Sequence, residues 1–175
     1  MSETNFDELK VGFIGGGALA ESVVKGIRGA LVMSQNIFVC ELRKERCAEL
    51  TKRYRITATD NAEEFLDKIK ILIIAVKPKD AIKTLSALKD KIDLSTTIFS
   101  VVAGLKLEIL EKYFPGHAIV RVMPNVNIAV GEGMNCYVPN KNCLSADKKL
   151  AEKFWSSITR ILNQNLSAKL RKISA

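Results

Sequence analysis

Three glycines stand between a short apolar segment and a helical pattern, in the stretch VGFIGGGALA at residues 11–20. Gly15, Gly17 and Ala20 fit the spacing G-x-G-x-x-G/A. In this pattern the first glycine allows a tight turn, the second lets the backbone approach a pyrophosphate, and the third small residue lets helix and strand pack closely. The stretch therefore predicts a dinucleotide-binding loop, with Gly16 as an incidental glycine in the variable position. The alternative is a structural turn that binds nothing.

Charged residues follow the second predicted strand, at the place where such proteins contact the ribose of a dinucleotide. Glu41 lies the expected distance of about 20 residues past the glycines, where a carboxylate bonds a ribose 2′-hydroxyl and favours NAD(H). Arg43 and Lys44 follow at once and could pair with the 2′-phosphate of NADP(H). The preference between NADP(H) and NAD(H) stays open, and plain surface charge at a helix start is the alternative for all three residues.

Composition indicates an ordinary globular protein. The chain has 175 residues, with 47% hydrophobic and 26% charged residues, which suits one domain with a real core. Apolar runs such as ILIIAV at 71–76 are too short to span a bilayer, and the polar start MSETNFDELK is unlike a signal peptide, so we expect a cytoplasmic protein with no membrane partner. The net charge is +8, but the basic residues alternate with acids as on a solvated helix face, and no motif supports nucleic-acid binding.

No metal site or nucleophile is evident. The four cysteines make no CxxC motif and have no histidines nearby, so packing is the favoured interpretation and no metal is expected. His117 is the one histidine, in a Pro-Gly-His turn, and we interpret it as structural because nothing in that stretch suggests catalytic partners. The catalytic residue is therefore unknown at this stage.

Strand-like and helix-like segments alternate along the chain. The apolar patterns predict strands at 10–14, 36–41, 55–60, 70–76, 96–103 and 117–123, and helices at 18–31, 44–54, 62–69, 80–92 and 107–114. Asn61 is the predicted cap of the short helix at 62–69, with Glu64 completing a partial capping box. Regular alternation with short connections predicts an α/β fold: a Rossmann-type, doubly wound, mainly parallel sheet with a C-terminal helix.

The pattern changes after Pro124. A further edge strand is predicted within 131–139, and a helix at 145–162 carries Leu150, Phe154 and Ile158 on one stripe. The predicted organisation is a polar tail at 1–9, an NAD(P)-binding Rossmann domain at 10–162 and a basic tail at 163–175 that is a possible truncation point.

Four ordered motifs together resemble one family. GFIGGGALA near the start is followed by AVKP at 75–78, SVVAG at 100–104 and RVMPNVNIAVGEG at 121–133. In this order they resemble the nucleotide-binding domain of pyrroline-5-carboxylate reductase, which reduces 1-pyrroline-5-carboxylate to L-proline with NADPH or NADH in proline biosynthesis. The match runs from about Lys10 to about Leu162.

The resemblance implies a path for the cofactor along the carboxyl ends of the strands, where open α/β sheets bind ligands. The implied cofactor-binding residues are Ile14, Gly15, Gly16, Gly17, Ala18 and Leu19 around the pyrophosphate, Glu41 and Arg43 at the adenosine ribose, Asn61 near the adenosine phosphate, Ala75, Val76, Lys77 and Pro78 beside the nicotinamide ribose, and Val101, Val102 and Ala103 near the nicotinamide. Simpler alternatives are a helix cap for Asn61, a solvated lysine for Lys77 and a helix stop for Pro78.

Two departures from the family pattern matter. The family's MPNTP is MPNVN here, so that Met123, Pro124 and Asn125 remain as substrate-side candidates while Val126 and Asn127 replace a hydroxyl and a rigid turn. The family also continues into a helical domain that forms the dimer and completes the substrate site, and nothing in this chain resembles it.

The missing helical domain leaves three hypotheses open. The chain is an incomplete pyrroline-5-carboxylate reductase, a stand-alone NAD(P)-binding module without turnover, or a different small NAD(P)-dependent imine or hydroxyacid reductase. Whether the chain alone is an active enzyme is therefore uncertain. Without a partner domain, we expect the stripe of Leu150, Phe154, Trp155 and Ile158 to be partly exposed, which predicts a homo-oligomer through the helix at 145–162.

Overall fold

One sheet dominates the computed structural model, which describes residues 8–124, 134–156 and 160–161. Within these residues eight strands lie in the order β3-β2-β1-β4-β5-β6-β7-β8. The strands are β1 (Val11–Ile14), β2 (Ile37–Cys40), β3 (Thr57–Thr59), β4 (Ile71–Ile74), β5 (Thr97–Ser100), β6 (Ile119–Pro124), β7 (Met134–Pro139) and β8 (Arg160–Ile161).

The first six strands are all parallel. The chain moves outward from β1 through β2 to β3, then returns to the other side of β1 with β4 and continues to β6. This reversal is the doubly wound arrangement, and it opens a crevice at the carboxyl ends of β1 and β4. The predicted Rossmann-type fold class is confirmed.

Five helices cover the two faces of the sheet: α1 (Ala18–Ile27), α2 (Lys44–Tyr54), α3 (Ala81–Leu88), α4 (Leu107–Tyr113) and α5 (Ser145–Ser156). One core lies under α1, α2 and α5, and the other lies under α3 and α4. β1 and β4 are buried along their whole length because each is covered on both faces. Leu9, at the end of the predicted polar tail, also packs into the first core.

The C-terminal part differs from the prediction in two ways. The helix predicted at 145–162 is described at Ser145–Ser156 and does not extend to 162, because Arg160–Ile161 forms β8, which pairs with β7 in parallel. β7 itself runs antiparallel to β6. The prediction that β7 is an edge strand is therefore wrong, because its outer side is hydrogen-bonded to β8.

The apolar stripe of α5 is not exposed as expected. Phe154 and Trp155 are fully buried, and their rings lie 5.6 and 5.8 Å from the ring of Phe99 on β5. Leu150 is partly buried against the same core, while Ile158 lies outside the described residues. Burial of one such side chain contributes roughly 1.5–3 kcal/mol, so α5 closes the core of the domain rather than presenting an apolar face.

The helix predicted at 62–69 is only the 3₁₀ turn Ala62–Glu64. The side chain of Asn61 caps it by accepting a hydrogen bond from Glu63 N at 3.1 Å, so the predicted cap is confirmed. The capping box is not formed, because the Asn61 N–H donates to Thr59 Oγ1 at 3.1 Å and Glu64 instead bonds the Thr59 hydroxyl at 2.9 Å. The chain turns inward at this point, since buried Phe65 stacks on Phe38 of β2.

Two other helices are shorter than their patterns predicted. α1 ends at Ile27 rather than residue 31, and α3 ends at Leu88 rather than residue 92. Asp90, just beyond α3, has a φ of 63°, which no continuing helix can accommodate. Across the residues that the structure describes, no helix has the length and apolar character needed to cross a membrane.

Candidate functional site

The glycine loop connects β1 to α1 at the crevice, where it contacts the end of β2 and the backbone that follows β4. Gly15 has a φ of 101°, and a Cβ built on it would lie 2.6 Å from the carbonyl oxygen of Ala75. Its N–H donates to the carbonyl of Cys40 at 2.8 Å, at the end of β2. Only glycine fits here, because a side chain would be strained in its backbone conformation and would overlap the backbone after β4.

Gly17 is placed in the opposite situation. It precedes α1 with a φ of −71°, and a Cβ built on it would meet nothing within 4 Å. No side chain caps α1, and Ala18 is exposed while Leu19 is partly buried. Open space in front of an uncapped helix N-terminus suits an anion, because the first N–H groups of the helix lack partners.

Gly16, expected to be incidental, lies in a tight space in the structure. Gly16 is buried, and a Cβ on it would lie 3.0 Å from both the Glu41 Cβ and the Leu50 Cδ1. Its N–H donates to Glu41 Oε2 at 3.2 Å. A side chain at this position would require the Glu41 and Leu50 side chains to shift by a few tenths of an ångström, so packing favours a glycine here.

The Glu41 carboxylate is the centre of the site after β2. Only 12% of its side chain is exposed, and it accepts hydrogen bonds from Gly16 N, from Arg43 N and from the Arg43 guanidinium at 3.1–3.2 Å. Burial alone would raise the pKa of Glu41, but the bonds from Arg43 and Gly16 outweigh it and lower the pKa below its ordinary value. Glu41 is therefore a carboxylate, held toward the glycine loop.

The opposing charges in the sequence are thus bonded to each other. Arg43, whose side chain is 66% exposed, is paired with Glu41 through Nε and Nη2. Lys44 is the first residue of α2 and is exposed. The residues after β2 therefore present a mostly buried carboxylate and an exposed guanidinium that are bonded to each other.

A second polar network joins α2 to the loop, and the sequence analysis did not identify it. Arg46 donates from Nε to the Gly16 carbonyl at 2.9 Å and from a terminal nitrogen to Glu21 at 2.6 Å. Glu21 also accepts from the Tyr54 hydroxyl at 2.7 Å and from Arg53 at 3.0 Å. The Tyr54 and Arg46 bonds lower the pKa of Glu21 although partial burial opposes them, so this carboxylate is charged as well.

The remaining cofactor-binding candidates follow the ends of β4 and β5. Ala75 and Val76 are partly buried, whereas Lys77 and Pro78 are exposed, with Pro78 opening the 3₁₀ turn before α3. After β5, Val101 and Val102 are buried and Ala103 is exposed. Because β1, β2, β4 and β5 are parallel neighbours, these candidates lie along one edge of the sheet.

The substrate-side candidates are only partly described. Met123, near the end of β6, is 45% exposed and borders a cleft of about 660 Å³ between α4 and the β6–β7 strands. Pro124 ends β6, and Asn125, Val126 and Asn127 lie outside the described residues. This cleft is lined by Lys106, Arg121 and Asn140 as well as by Met123, and it does not include the glycine loop.

His117 and the cysteines are at least partly buried, and several of them contact backbone carbonyl groups. His117 is buried at the amino end of β6, the edge of the sheet away from the glycine loop, with Nε2 3.3 Å from the Ile92 carbonyl. Burial raises the pKa of the four cysteine thiols. Two of these thiols donate to backbone carbonyls, Cys47 to Glu41 at 3.0 Å and Cys143 to Ile119 at 3.4 Å. Their environment favours the protonated thiol over a nucleophilic thiolate.

One known family matches the part of the chain that contains β1 to β5. The sequence model of the family described as "NADP oxidoreductase coenzyme F420-dependent" matches residues 10–104, which include the glycine loop, Glu41 and the segments after β4 and β5.

Several named proteins are similar to most of this chain. The chain is 37% identical over 150 residues to pyrroline-5-carboxylate reductase 1 of Bacillus spizizenii, covering 84% of this chain and 50% of the relative. It is 33% identical over 152 residues to pyrroline-5-carboxylate reductase of Methanosarcina acetivorans, covering 85% and 56%. The crystal structure of Plasmodium falciparum pyrroline carboxylate reductase with NADP bound is 30% identical, has a TM-score of 0.79, and is covered over 58% of its chain by 90% of this one. The resemblance predicted from the motifs is confirmed, and the chain spans about half the length of the curated relatives that it matches.

Proposed function

The chain belongs to the NADP oxidoreductase, coenzyme F420-dependent family, and we propose that it is the dinucleotide-binding half of a pyrroline-5-carboxylate reductase. The cofactor would be NADP(H) or NAD(H). The observation that carries the proposal is the glycine loop at the β1–β4 crevice, where Gly15 admits the turn and open space lies in front of Gly17. A relative with 30% identity and NADP bound supports the same assignment.

The residues around the crevice fit a dinucleotide. Residues 14–19 would hold the pyrophosphate against the loop and the start of α1, and Glu41 with Arg43 would meet the adenosine ribose. Asn61, at the same edge beyond β3, would lie near the adenosine phosphate. The segments at 75–78 and 101–103 would flank the nicotinamide and its ribose. A continuous row of candidates along one sheet edge matches the extended shape of the ligand.

The reaction proposed for the complete site is reduction of a cyclic imine. When bound, a reduced nicotinamide would supply hydride to the imine carbon, and the imine nitrogen would gain a proton, so that the C=N bond would become CH–NH. This chain's part is to bind and orient the cofactor: buried Val101 and Val102 fix the backbone after β5, and the backbone after β4 is held by the Ala75 N–H bond to Ile14 at 2.8 Å. Met123, Pro124 and Asn125 remain substrate-side candidates, and we assign the general acid to no described residue.

The properties of the complete protein are also proposals. The substrate would be 1-pyrroline-5-carboxylate, the product L-proline, the pathway proline biosynthesis and the location the cytoplasm. A homo-oligomer through the helix predicted at 145–162 would have to use the polar face of α5, because Phe154 and Trp155 face the core.

A second candidate function is a stand-alone dinucleotide-binding module without turnover. The observation that favours it is the closed core under α5, where Phe154, Trp155 and Ala151 are all fully buried without a further domain. A domain that completes its own core can fold and bind ligand independently of a second half.

The two functions are separated by a paired experiment on this chain. NADPH and NADH are titrated by fluorescence, and reduction of 1-pyrroline-5-carboxylate is then assayed with the chain alone and with an added C-terminal half from a relative such as the Bacillus enzyme. Binding with turnover only in the presence of the added half supports the reductase-half proposal. Binding with no turnover in either case supports the module, and absence of binding to both cofactors contradicts both.

A further inference from the structure

We infer that Arg46 is a positioning residue that fixes the orientation of the Gly16 peptide groups for dinucleotide binding. The inference rests on the proposed function, since it concerns how the same loop receives its ligand. Gly16 is held from two sides: its N–H donates to Glu41 Oε2 at 3.2 Å, and its carbonyl accepts from Arg46 Nε at 2.9 Å. One bond comes from the end of β2 and the other from α2.

The guanidinium of Arg46 makes three bonds at once. Besides the Gly16 carbonyl, it contacts Glu21 at 2.6 Å and Glu49 at 2.7 Å, and only 13% of its side chain is exposed. The planar fork of arginine can donate in several fixed directions, whereas the ammonium of lysine is a point charge on a flexible stem. Arg46 therefore ties the loop to α1 through Glu21 and to its own helix through Glu49.

The direction of the Gly16 carbonyl matters to an anionic ligand. A carbonyl oxygen is the negative end of the peptide dipole, and an oxygen turned toward a pyrophosphate would repel it. The bond to Arg46 commits this oxygen to α2 and leaves the open side at Gly17 to N–H groups. Glycine is the residue most able to rotate away from such a position, because it lacks a Cβ, so an external bond is needed to hold it.

This role predicts a signature that differs from that of Glu41 and Arg43. The pyrophosphate is common to NADH and NADPH, so loss of Arg46 should weaken both cofactors by the same factor. A change at Arg43 acts at the ribose and should change the ratio of the two affinities instead. A change at Glu41 should do both, because Glu41 also accepts the hydrogen bond from Gly16 N. Arg53 provides a matched control, because it bonds the same Glu21 at 3.0 Å and lies near the same Glu49 but is not bonded to the loop in the structure.

The test compares Arg46→Met, Arg46→Lys and Arg53→Met in the full chain. Dissociation constants for NADH and NADPH are measured by fluorescence, and hydrogen exchange is measured on the peptide that covers residues 15–17. For Arg46→Met we expect both dissociation constants to rise about ten-fold with an unchanged ratio, as for loss of a charge-assisted bond, together with faster exchange of the loop amides. Arg46→Lys should recover only part of the affinity, and Arg53→Met should bind like the wild type.

The inference is overturned if Arg46→Met matches Arg53→Met in both affinity and loop exchange. It is also overturned if Arg46→Met changes the NADH to NADPH ratio while the loop exchanges as in the wild type, because the residue would then act at the ribose. If Arg46→Met does not fold, Arg46→Lys is judged by the same criteria. If the wild type binds neither cofactor, the proposed function fails, and the exchange of the loop amides alone decides whether Arg46 holds the loop.

Discussion

The two halves of the carboxyl edge of the sheet differ in the polarity of their side chains. On the side of β1 and β2, four charged side chains surround the loop: Glu41, Arg43, Arg46 and Glu21 are joined in hydrogen bonds of 2.6–3.2 Å. On the side of β4 and β5, the corresponding residues at 75–76 and 101–103 are apolar, and exposed Lys77 is the one charged side chain of the segments 75–78 and 101–103. In our proposal, the charged half selects the ligand by directed hydrogen bonds, and the other half contacts it mainly through apolar surface.

This difference indicates where each property of the site originates. We expect affinity and cofactor preference to depend on the charged half, where loss of one hydrogen bond leaves a charged group without a partner. We expect the orientation of the reacting ring to depend on the apolar half, whose side chains at 75–76 and 101–103 include no proton donor. We therefore expect proton transfer to depend on groups outside these segments, which agrees with a site completed by a second half.

The largest expected effect is a loss of stability on substitution of Gly15 in the glycine loop. Gly15→Ala places a side chain at a φ of 101° and within 2.6 Å of the Ala75 carbonyl. We expect the free energy of unfolding to fall by about 2–4 kcal/mol, from left-handed backbone strain and overpacking together. Urea denaturation of both proteins measures this. A loss below about 0.5 kcal/mol would show that the loop relaxes without cost.

Gly17→Ala is the matched control for that substitution. Its Cβ meets no atom within 4 Å, so stability should change by less than about 0.5 kcal/mol. The new methyl group points into the space proposed for the pyrophosphate, and NADH and NADPH should each bind about ten-fold more weakly. Unchanged affinity in a folded Gly17→Ala protein would place the pyrophosphate elsewhere.

A second prediction concerns the preference of the charged half for NADH or NADPH. Glu41→Ser removes the carboxylate that holds Arg43 and frees the guanidinium for a 2′-phosphate. The ratio of the NADH to the NADPH dissociation constant should move about ten-fold toward NADPH. The double substitution Glu41→Ser with Arg43→Ala should cancel this gain, and a ratio that Glu41→Ser leaves unaltered would contradict the assignment of Glu41 to the ribose.

A third prediction distinguishes two roles of Asn61. The side chain caps the turn Ala62–Glu64 at 3.1 Å from Glu63 N, so Asn61→Ala should lower the free energy of unfolding by about 0.5–1 kcal/mol. Asn61→Asp keeps a capping oxygen and should retain that stability, but its added charge should weaken a nearby phosphate. If Asn61→Asp binds both cofactors like the wild type, Asn61 is a cap and no more.

The smallest expected effect is in the pH dependence of stability. The pKa values of Glu21 and Glu41 are lowered in the folded chain, so the unfolded chain binds more protons at acidic pH. Their contribution is complete above the unfolded pKa and is lost as the pH falls from the unfolded pKa through the lower folded pKa. Denaturation at several pH values measures this dependence. As the pH falls, the free energy of unfolding should decrease less steeply for Glu21→Gln than for the wild type. Equal slopes would contradict the lowered pKa of Glu21.

The sequence predicted most of the parallel part of the sheet. α2 begins and ends at the predicted residues, and the six parallel strands lie within the predicted segments apart from one residue at the end of β6. These segments succeed because a strand buried on both faces is a continuous apolar run, which local sequence alone reveals. The alternation of strands and helices predicted the doubly wound, mainly parallel sheet, and the structure gives the order of its strands.

The failures have a common physical cause, which is long-range pairing. β8 is two residues long and has no period to detect, and only its pairing with β7 makes it a strand. The charges at 41–55 have the spacing of a solvated face, yet Arg46 is drawn inward by Gly16, 30 residues away in the chain. Gly16 was likewise judged from a motif that leaves its position variable, whereas Glu41 and Leu50 fill the space around it.

The central claim is that the dinucleotide lies on the glycine loop at the β1–β4 crevice. Titration of the isotopically labelled chain with NADH and NADPH, followed by amide chemical shifts, tests this location directly. The account predicts saturable binding with the largest shifts at the amides of residues 15–19 and at Glu41. Saturable binding with its largest shifts in the cleft between α4 and the β6–β7 strands, or no binding at all, would contradict it.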